Sequence, residues 1–447
     1  MGGIPAEQSA SWLSGGCRLQ GYPEWGVKLV TWRIAAGPDR PGEGRCAAVY
    51  PGMTPLDIDR LRAETFGTRN VIHLNNAGAG LMPEPVLEVI AEHLDLEARI
   101  GGYEAEAARH SEIQSVYDSV GTLIGADPQN VAITDNATGA FILALSAVPF
   151  APGDVVLTTL NDYVSNQIMF LSLASRFGIE VVRAPDGPTG GVDVRALEKL
   201  VHRKQPKLVA VTQVPTSSGL VQPVAEVGAI CRERGVLYLV DACQSVGQMP
   251  VDVDDIGCDF LTATSRKFLR GPRGVGFLYV SDRALDLDLE PLFPDMRGAD
   301  WIEGDLYQPA PGARRFENFE SPVPLVLGMG RAARYALDLG LEPIRERAWT
   351  LAESIRERVA EVGGVQVQDK GEERCAIVTL STEGHHPLDL LRALRKEGIN
   401  TSRTGRDTAI FDFDDKSVDQ VLRVSPHYYN TEEEIVAFVD ALSRLMN

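Results

Sequence analysis

The sequence has little of what nucleic-acid-binding, membrane or secreted proteins need. Its 447 residues carry 43 Lys and Arg against 62 Asp and Glu, a formal net charge of −19. This balance argues against nucleic acid and anionic membrane surfaces as partners, because both attract clustered positive charge. No apolar run approaches the roughly 20 residues that span a bilayer. The first thirty residues have neither the basic start nor the apolar stretch of a signal peptide. We therefore expect a cytoplasmic protein.

Cysteine is also scarce, and its spacing matches no metal-binding or redox motif. The six cysteines are Cys17, Cys46, Cys231, Cys243, Cys258 and Cys375. We expect reduced, mostly structural thiols and no metal site. The 44% hydrophobic and 23% charged content is ordinary for a globular protein.

Composition and periodicity divide the chain into an extension and two domains. Residues 1–52 are rich in Gly, Pro and Ser and lack periodicity, so we expect disorder or loose packing there. The better pattern begins at Met53, a candidate native start. Over residues 53–339, short β-branched runs alternate with helical stretches, which predicts an α/β domain with a mostly parallel sheet. Residues 340–447 predict a smaller α+β domain, against which the first part of the large domain is expected to pack.

Polar residues collect at the ends of the predicted strands, where parallel sheets bind their ligands. In "ITDNATGAFILAL", Ala137 and Thr138 lie where a strand gives way to a helix, an arrangement that suits an anion. Taken alone, Thr138 is more simply a helix N-cap. Tyr163 in "LNDYVSNQ" is either a wall for a flat ligand or core packing. Thr216 in "VTQVPTSSG" belongs to a hydroxyl-rich turn, which is weak evidence.

Asp241 in "LVDACQSVG" follows a run of apolar residues. A carboxylate at the end of a buried strand needs a partner, and a protonated heterocyclic nitrogen would serve. Gln244 could then reach an adjacent substituent of the same ring. The alternative is an Asp that caps the next turn, and this stretch alone does not decide between the two.

Lys267 in "TATSRKFLRGPRGVGFLYV" follows Thr264, Ser265 and Arg266. A lysine at a strand end is usually a solvated surface residue, and the alternative is a pocket lysine that forms a Schiff base. Arg266 and the hydroxyls can neutralise a phosphate. A nearby cation would also lower the lysine pKa and favour the free amine.

One ligand meets all these demands. It has an anion for Thr138, a flat ring for Tyr163, a ring nitrogen for Asp241 and an aldehyde for Lys267. Pyridoxal phosphate (PLP) fits each of them, and the conjunction is far more specific than any single residue.

The sequence resembles the class V aminotransferase family of fold-type I PLP enzymes, which includes cysteine desulfurases and isopenicillin N epimerase-like proteins. The resemblance runs from about Ile72 to Leu445 and is strongest in "IHLNNAGAGLMP", "VDACQSVGQMPVDV", "SRKFLRGPRGVGFLYV" and "LRVSPHYYNTEEEI". It implies the fold-type I architecture, PLP as cofactor, an amino-acid substrate, and a homodimer whose active sites lie at the subunit interface.

The resemblance also implies a role for each candidate residue. Lys267 is the Schiff-base lysine and Asp241 pairs with the pyridine nitrogen. The other implied cofactor contacts are Gln244 and Thr216 near the ring hydroxyl, Tyr163 stacked on the ring, and Ala137, Thr138, Thr264 and Arg266 at the phosphate. The implied substrate contacts are Arg423, which grips the α-carboxylate, and Arg403, Arg406 and Asn76.

Two departures from the desulfurase pattern bear on the reaction. "SRTGRDTAIF" has Thr408 about where desulfurases carry their nucleophilic cysteine, and threonine cannot replace cysteine without an activating base. "RRFENFES" lacks the Gly-Thr of desulfurases, which puts a phosphate contact from the neighbouring subunit in doubt.

Within the family, "ARIGGYEAEAA" and "TSRKFLRGPRGVG" are most similar to the hercynylcysteine sulfoxide lyases of ergothioneine biosynthesis. We therefore expect a C–S lyase that releases pyruvate and ammonia from a cysteine conjugate or sulfoxide. Transamination and epimerisation remain alternatives, because they share the same first half-reaction. A PLP-binding regulatory protein without activity is a further alternative.

Overall fold

The computed structural model describes residues 56–447, so the predicted loose extension and two of the cysteines, Cys17 and Cys46, lie outside the described residues. The strands are β1 (Ile72–His73), β2 (Val131–Thr134), β3 (Val155–Thr159), β4 (Glu180–Ala184), β5 (Leu208–Thr212), β6 (Leu237–Asp241), β7 (Phe260–Thr264), β8 (Gly276–Val280), β9 (Ala299–Glu303), β10 (Leu306–Pro309), β11 (Val365–Val367), β12 (Val378–Thr382), β13 (Ile399–Asn400), β14 (Ser402–Gly405) and β15 (Gln420–Val424).

The α-helices are α1 (Ile58–Ala63), α2 (Glu84–Ile100), α3 (Gly102–Ala108), α4 (His110–Ile124), α5 (Ala137–Ala147), α6 (Val164–Phe177), α7 (Val194–Lys204), α8 (Val224–Arg234), α9 (Val253–Ile256), α10 (Asp282–Asp286), α11 (Val323–Leu339), α12 (Leu341–Val359), α13 (Pro387–Lys396), α14 (Ile410–Lys416) and α15 (Glu432–Met446). Short 3-10 helices cover Phe66–Arg69, Pro128–Asn130 and Gly312–Phe316. Within residues 56–447, no helix is long and apolar enough to cross a membrane.

A seven-stranded sheet in the order β2-β8-β7-β6-β5-β3-β4 forms the centre of the molecule. Neighbouring strands from β4 to β7 pair in parallel, and β8 runs antiparallel between β7 and β2. Apart from the edge strand β4, every strand of this sheet is buried along its whole length. Such strands need continuous apolar runs, as "LVAVT" of β5 illustrates. The predicted α/β fold with a mostly parallel sheet is confirmed.

Successive residues of a buried strand face opposite sides of the sheet. In β6, Tyr238 and Val240 enter the apolar core on one face, whereas Leu237 and Leu239 enter the core on the other. Helices complete both cores, with α4 and α11 on the first side and α5 and α6 on the second. The result is a three-layer arrangement of helices, sheet and helices.

Strand register brings the polar strand ends together. Thr212 pairs with Asp241 between β5 and β6, and Asp241 pairs with Thr262 between β6 and β7. Because β8 is antiparallel, its first residue, Gly276, lies opposite Thr264. The carboxyl ends of the parallel strands and the start of β8 therefore share one edge.

A second sheet of four antiparallel strands, in the order β11-β12-β15-β14, follows in the chain. It shares an apolar core with α12, α13 and α15 that includes Leu351, Val378 and Phe438. The start of the described chain joins this part, because Ile72 of β1 pairs with Ile399 of β13. The described residues belong to one compact unit, so the domain boundary near residue 340 stays a prediction.

Candidate active site

A cavity of about 300 Å³ lies at the carboxyl edge of the central sheet. The residues that the sequence predicts around the cofactor all line it: Ala137, Thr138, Tyr163, Thr216, Asp241, Gln244, Thr264, Arg266 and Lys267. The sequence prediction missed other lining residues, among them Asn166, Thr212, Cys243 and Arg273. Residues at or after the ends of β2, β3, β5, β6 and β7 contribute to the wall, which is why the strand-end pattern identified so many of them.

Lys267 lies in a tight turn that directly follows β7. The peptide N–H of Arg270 donates to the Lys267 carbonyl at 3.0 Å, and that of Gly271 donates to the Ser265 carbonyl at 2.9 Å. Burial lowers the pKa of the Lys267 ammonium; Cys243 and Asp241 oppose this effect, and nearby arginines add to it. The turn thus holds an amine that loses its proton more readily than a surface lysine does.

Asp241 is buried at the end of β6 and is held by neutral donors. Its Oδ2 accepts from the Asn166 side-chain amide at 3.2 Å, and its Oδ1 accepts from the Cys243 peptide N–H at 2.9 Å. The second contact means that Asp241 caps the following turn, as one of the two sequence interpretations expects, and it leaves the other interpretation open. No Lys, Arg or His lies within 4.0 Å of this carboxylate in the part of the chain that the structure describes. A protonated ring nitrogen would supply the missing positive charge.

The start of α5 forms the end of the cavity next to β2. Asn136 is the N-cap, and its side chain accepts from the Gly139 peptide N–H at 2.9 Å. Thr138 is therefore not the N-cap, and the simpler sequence interpretation of it was wrong. Ala137 and Thr138 are the first helical residues, whose N–H groups have no partner within the helix. This end of the cavity suits a phosphate.

Gln244, Thr216 and Arg423 form a chain of polar contacts that starts in the cavity wall. Gln244 Nε2 donates to Thr216 Oγ1 at 3.1 Å, and a guanidinium nitrogen of Arg423 donates to the same hydroxyl. Gln244 Oε1 and Arg423 Nε are buried without a partner among residues 56–447. A ring hydroxyl and a carboxylate would satisfy these two atoms. Together with the free amine and the anion-binding end, they fit PLP and an amino-acid substrate.

None of the four predicted substrate contacts lines the cavity itself, although Arg423 contacts the lining residue Thr216. Arg423 lies directly behind Thr216, whereas Asn76 is fully buried, with its amide 2.8 Å from the Ser425 carbonyl and its oxygen 2.6 Å from the Tyr429 hydroxyl. Arg403 is exposed on β14, an edge strand, and faces Gln420. Arg406, also exposed, pairs with Asp414.

Substrate binding by any of these four residues therefore stays a prediction. Asn76 fastens a loop to the C-terminal segment, and the side chains of Arg403 and Arg406 point to solvent, so none of the three is in the cavity wall.

No activated thiol faces the cavity among the described residues. Thr408 Oγ1 lies 2.7 Å from both the Gly405 carbonyl and Thr404 Oγ1, and it is not part of the wall. The described cysteines are all free, and of these Cys243 alone lines the cavity. Burial raises the pKa of the Cys243 thiol, so it stays protonated and weakly nucleophilic.

Comparisons with known proteins agree with this geometry. The family model "Aminotransferase class-V" matches residues 72–438. A probable cysteine desulfurase of Methanothermobacter thermautotrophicus is 28% identical over 384 residues, which cover 84% of this chain and 95% of that protein. The apo structure of a cysteine desulfurase from Thermococcus onnurineus superposes with a TM-score of 0.81 at 25% identity, covering 88% of this chain and 99% of the other.

A further solved structure is the cystine C–S lyase C-DES with its product cysteine persulfide, at a TM-score of 0.76 and 23% identity, over 85% of this chain and 99% of that one. At this identity the likeness concerns the fold alone. The family match covers most of the described residues, and the cavity provides for every part of the cofactor that this family uses. The chain belongs to the class V aminotransferase family, and it is an enzyme of the fold-type I architecture whose cofactor is pyridoxal phosphate.

Proposed function

We propose that this enzyme is a C–S lyase that acts on a cysteine conjugate or a cysteine sulfoxide. One observation carries the proposal: the Lys267–Asp241 pair lies at the cavity, but the position expected for a desulfurase nucleophile is Thr408, whose hydroxyl is bound elsewhere. Relatives named cysteine desulfurases support C–S chemistry on a cysteine-like substrate. The lack of an activated thiol in the described wall favours release of the sulfur group over its capture as an enzyme persulfide.

Each residue has a defined task in this reaction. PLP, when bound, supplies an electron sink for the negative charge that develops at the substrate α-carbon. Arg423 and Thr216 orient the substrate carboxylate, which fixes the α-hydrogen relative to the base. Lys267, whose pKa is lowered, accepts the α-proton as general base. Asp241 keeps the ring nitrogen protonated by offering it a buried anion.

The overall reaction balances without an oxidant or a reductant. The Cβ–S bond breaks, its electron pair leaves with sulfur, and the α-proton or a solvent proton neutralises the thiolate or sulfenate. Water then hydrolyses the remaining three-carbon fragment, giving pyruvate and ammonia. Hercynylcysteine sulfoxide is the first substrate to test, because the motif likeness of "ARIGGYEAEAA" and "TSRKFLRGPRGVG" supports it.

Transamination or epimerisation is the second candidate. No side chain in the described wall is dedicated to a sulfur leaving group, which favours this candidate. In either reaction Lys267 could return to the substrate the proton that it removes. A regulatory protein without activity has little support, since the base and the carboxylate are both in place.

A homodimer located in the cytoplasm belongs to the same proposal. Trp301 lies in the β9–β10 hairpin and is 80% exposed. Phe293 and Met296, just before the hairpin, are 84% and 69% exposed. Exposed apolar side chains of this size in one region favour burial against a second copy. The negative charge and the free cysteines support the cytoplasm.

The test is a paired measurement on purified protein. The visible spectrum with and without borohydride reports bound PLP, and pyruvate is then assayed after a cysteine sulfoxide conjugate is added. Pyruvate release with a reducible band is the expected result. A reducible band without pyruvate, accompanied by conversion of the cofactor to its amine form by amino donors, would replace the lyase with an aminotransferase.

A further inference from the structure

Arg273 lines the cavity, but neither the sequence analysis nor the proposed reaction assigns it a role. It lies in the turn between the Lys267 loop and β8. The Gly271 peptide N–H donates to the Ser265 carbonyl at 2.9 Å, and the Ser265 N–H donates to the Val275 carbonyl at 3.2 Å. These two bonds hold the turn that carries Arg273 alongside Ser265 and Arg266.

The same turn passes directly over the start of α5. A Cβ added to Gly276 would lie 3.1 Å from the Ala137 peptide nitrogen and 2.5 Å from the Ala263 carbonyl oxygen. Only glycine permits that approach. Gly274 has a φ of +86°, in the left-handed region, which turns the chain into β8 just after Arg273. Arg273 is thus placed at the end of the cavity where the first N–H groups of α5 are unpaired.

Within residues 56–447, no carboxylate pairs with the arginines at this end of the cavity. Arg273 is exposed and makes no hydrogen bond or ion pair with any of residues 56–447, and Arg266 has no carboxylate partner among them either. Burial lowers the pKa of Arg266, and the charge of Arg273 lowers it further. Asp135, the carboxylate in this part of the wall, lies more than 4.0 Å from both guanidinium groups. Two guanidinium groups beside a helix N-terminus need a multiply charged anion.

We propose that Arg273 binds the phosphate of the cofactor together with Arg266 and the N-terminus of α5. The phosphate is thereby held by two arginines of the same chain that also provides Lys267. The proposal concerns cofactor binding alone and does not depend on which reaction follows.

A ligand comparison tests it. The dissociation constants of PLP and of pyridoxal, which lacks the phosphate, are measured on the apoenzyme for the wild type and for Arg273→Ala, by the change in tryptophan fluorescence. We expect Arg273→Ala to weaken PLP binding by about tenfold or more, since hydrogen bonds between charged groups are stronger than those between neutral ones. Pyridoxal binding should stay the same. The PLP affinity of Arg273→Lys should lie between those of the wild type and Arg273→Ala, because lysine keeps the positive charge but cannot bind the phosphate bidentately.

The matched control is Arg395→Ala, an exposed arginine on α13 that forms no ion pair within residues 56–447. It removes the same charge from the molecule and should leave both dissociation constants unchanged. Inorganic phosphate should compete with PLP on the wild type and less well on Arg273→Ala. Equal weakening of PLP and pyridoxal, unchanged PLP affinity, or a rise only in the substrate KM would each overturn the proposal.

Discussion

The side-chain amide of Asn166 lies 3.2 Å from Oδ2 of Asp241 and donates a hydrogen bond to it. The same amide nitrogen is 3.0 Å from Oδ1 of Asp162, a buried carboxylate that accepts from Thr212 at 2.6 Å. Asn166 therefore joins the carboxylate expected at the ring nitrogen to a second buried acid at the start of α6. This contact fixes the orientation of Asp241, which has only one other hydrogen bond among the described residues.

Asn166→Ala should lower kcat by about tenfold, because a hydrogen bond to a charged group contributes roughly 1.5 kcal/mol or more and Asp241 loses one of two. The absorption maximum of bound PLP should shift with it, since the ring nitrogen then faces a less ordered carboxylate. Gln167→Ala is the matched control: its amide contacts Asp162 at 2.7 Å but not Asp241. Equal spectral shifts in both variants would show that Asp241 does not depend on Asn166.

The pH dependence of cofactor uptake follows from the environment of Lys267. Burial, reinforced by Arg266 and Arg423, lowers its pKa below the ordinary value of 10.5. Only the neutral amine can attack an aldehyde, so the free-amine population appears at a lower pH than for a surface lysine. The rate at which PLP becomes reducible by borohydride should thus reach half its maximum below that value.

Removing a neighbouring arginine should raise the pKa of Lys267 part of the way back. Arg423→Gln takes away one charge that lowers the Lys267 pKa, so its uptake midpoint should move to higher pH. Lys267→Ala should form no reducible band and no product, whereas Lys199→Ala, an exposed lysine of α7, should behave as the wild type. A midpoint in the wild type at the value of free lysine would contradict the burial argument.

The sequence predicted the sheet and many of the residues that line the cavity, because both depend on local patterns. Buried parallel strands require continuous apolar runs, and the polar residue after each run must lie at the shared edge. Asn166 had no such signal: it is one of several polar residues in the first turn of α6 and reaches Asp241 only across 75 positions of sequence. Arg273 was overlooked because the glycines around it explained the turn on their own.

A local pattern cannot decide which residue caps a helix or where a side chain points. The stretch "DNAT" offers both Asn136 and Thr138 as helix caps, and only the backbone conformation selects Asn136. The substrate roles of Asn76 and Arg403 rest on motif likeness and stay predictions, because the direction of each side chain depends on tertiary packing. Arg403 belongs to an edge strand and Asn76 to a buried loop, so neither reaches the cavity.

Arg423 and Arg403 provide a direct test of the substrate site. They come from paired strands, since Arg423 of β15 lies opposite Ser402 in the register with β14. Arg423→Lys should raise the KM for an amino-acid substrate by about tenfold or more, because lysine cannot bind a carboxylate bidentately. It should leave the PLP dissociation constant unchanged.

Arg403→Lys should alter neither constant, because the Arg403 side chain is exposed and outside the cavity wall. Steady-state kinetics on both variants gives the answer. A large KM effect at Arg403 with none at Arg423 would mean that the substrate carboxylate binds outside the cavity described above.

The segment that carries Thr408 leads into α14, which a buried ion-pair cluster anchors. Asp412 lies 3.0 Å from Lys370 and 2.7 Å from Lys416, and Lys416 also donates to the Ser217 carbonyl at 3.0 Å. Burial lowers the pKa of Lys416, and the Asp412 carboxylate opposes this effect. Because Ser217 directly follows Thr216, the cluster connects α14 to the wall of the cavity.

Asp412→Asn should destabilise the protein by about 3 kcal/mol, because it leaves the buried Lys416 without its ion-pair partner, whereas Lys370 keeps Asp415 at 2.6 Å. Thermal unfolding of the apoenzyme measures the loss, and the KM should rise as the Thr216 turn loosens. Asp414→Asn on the same helix breaks the exposed Arg406 pair and should leave the unfolding temperature nearly unchanged, since solvent already screens that pair. Equal stability losses in the two variants would mean that α14 is held by its apolar residues alone, such as Phe413, and that Asp412 has no special part in shaping the cavity.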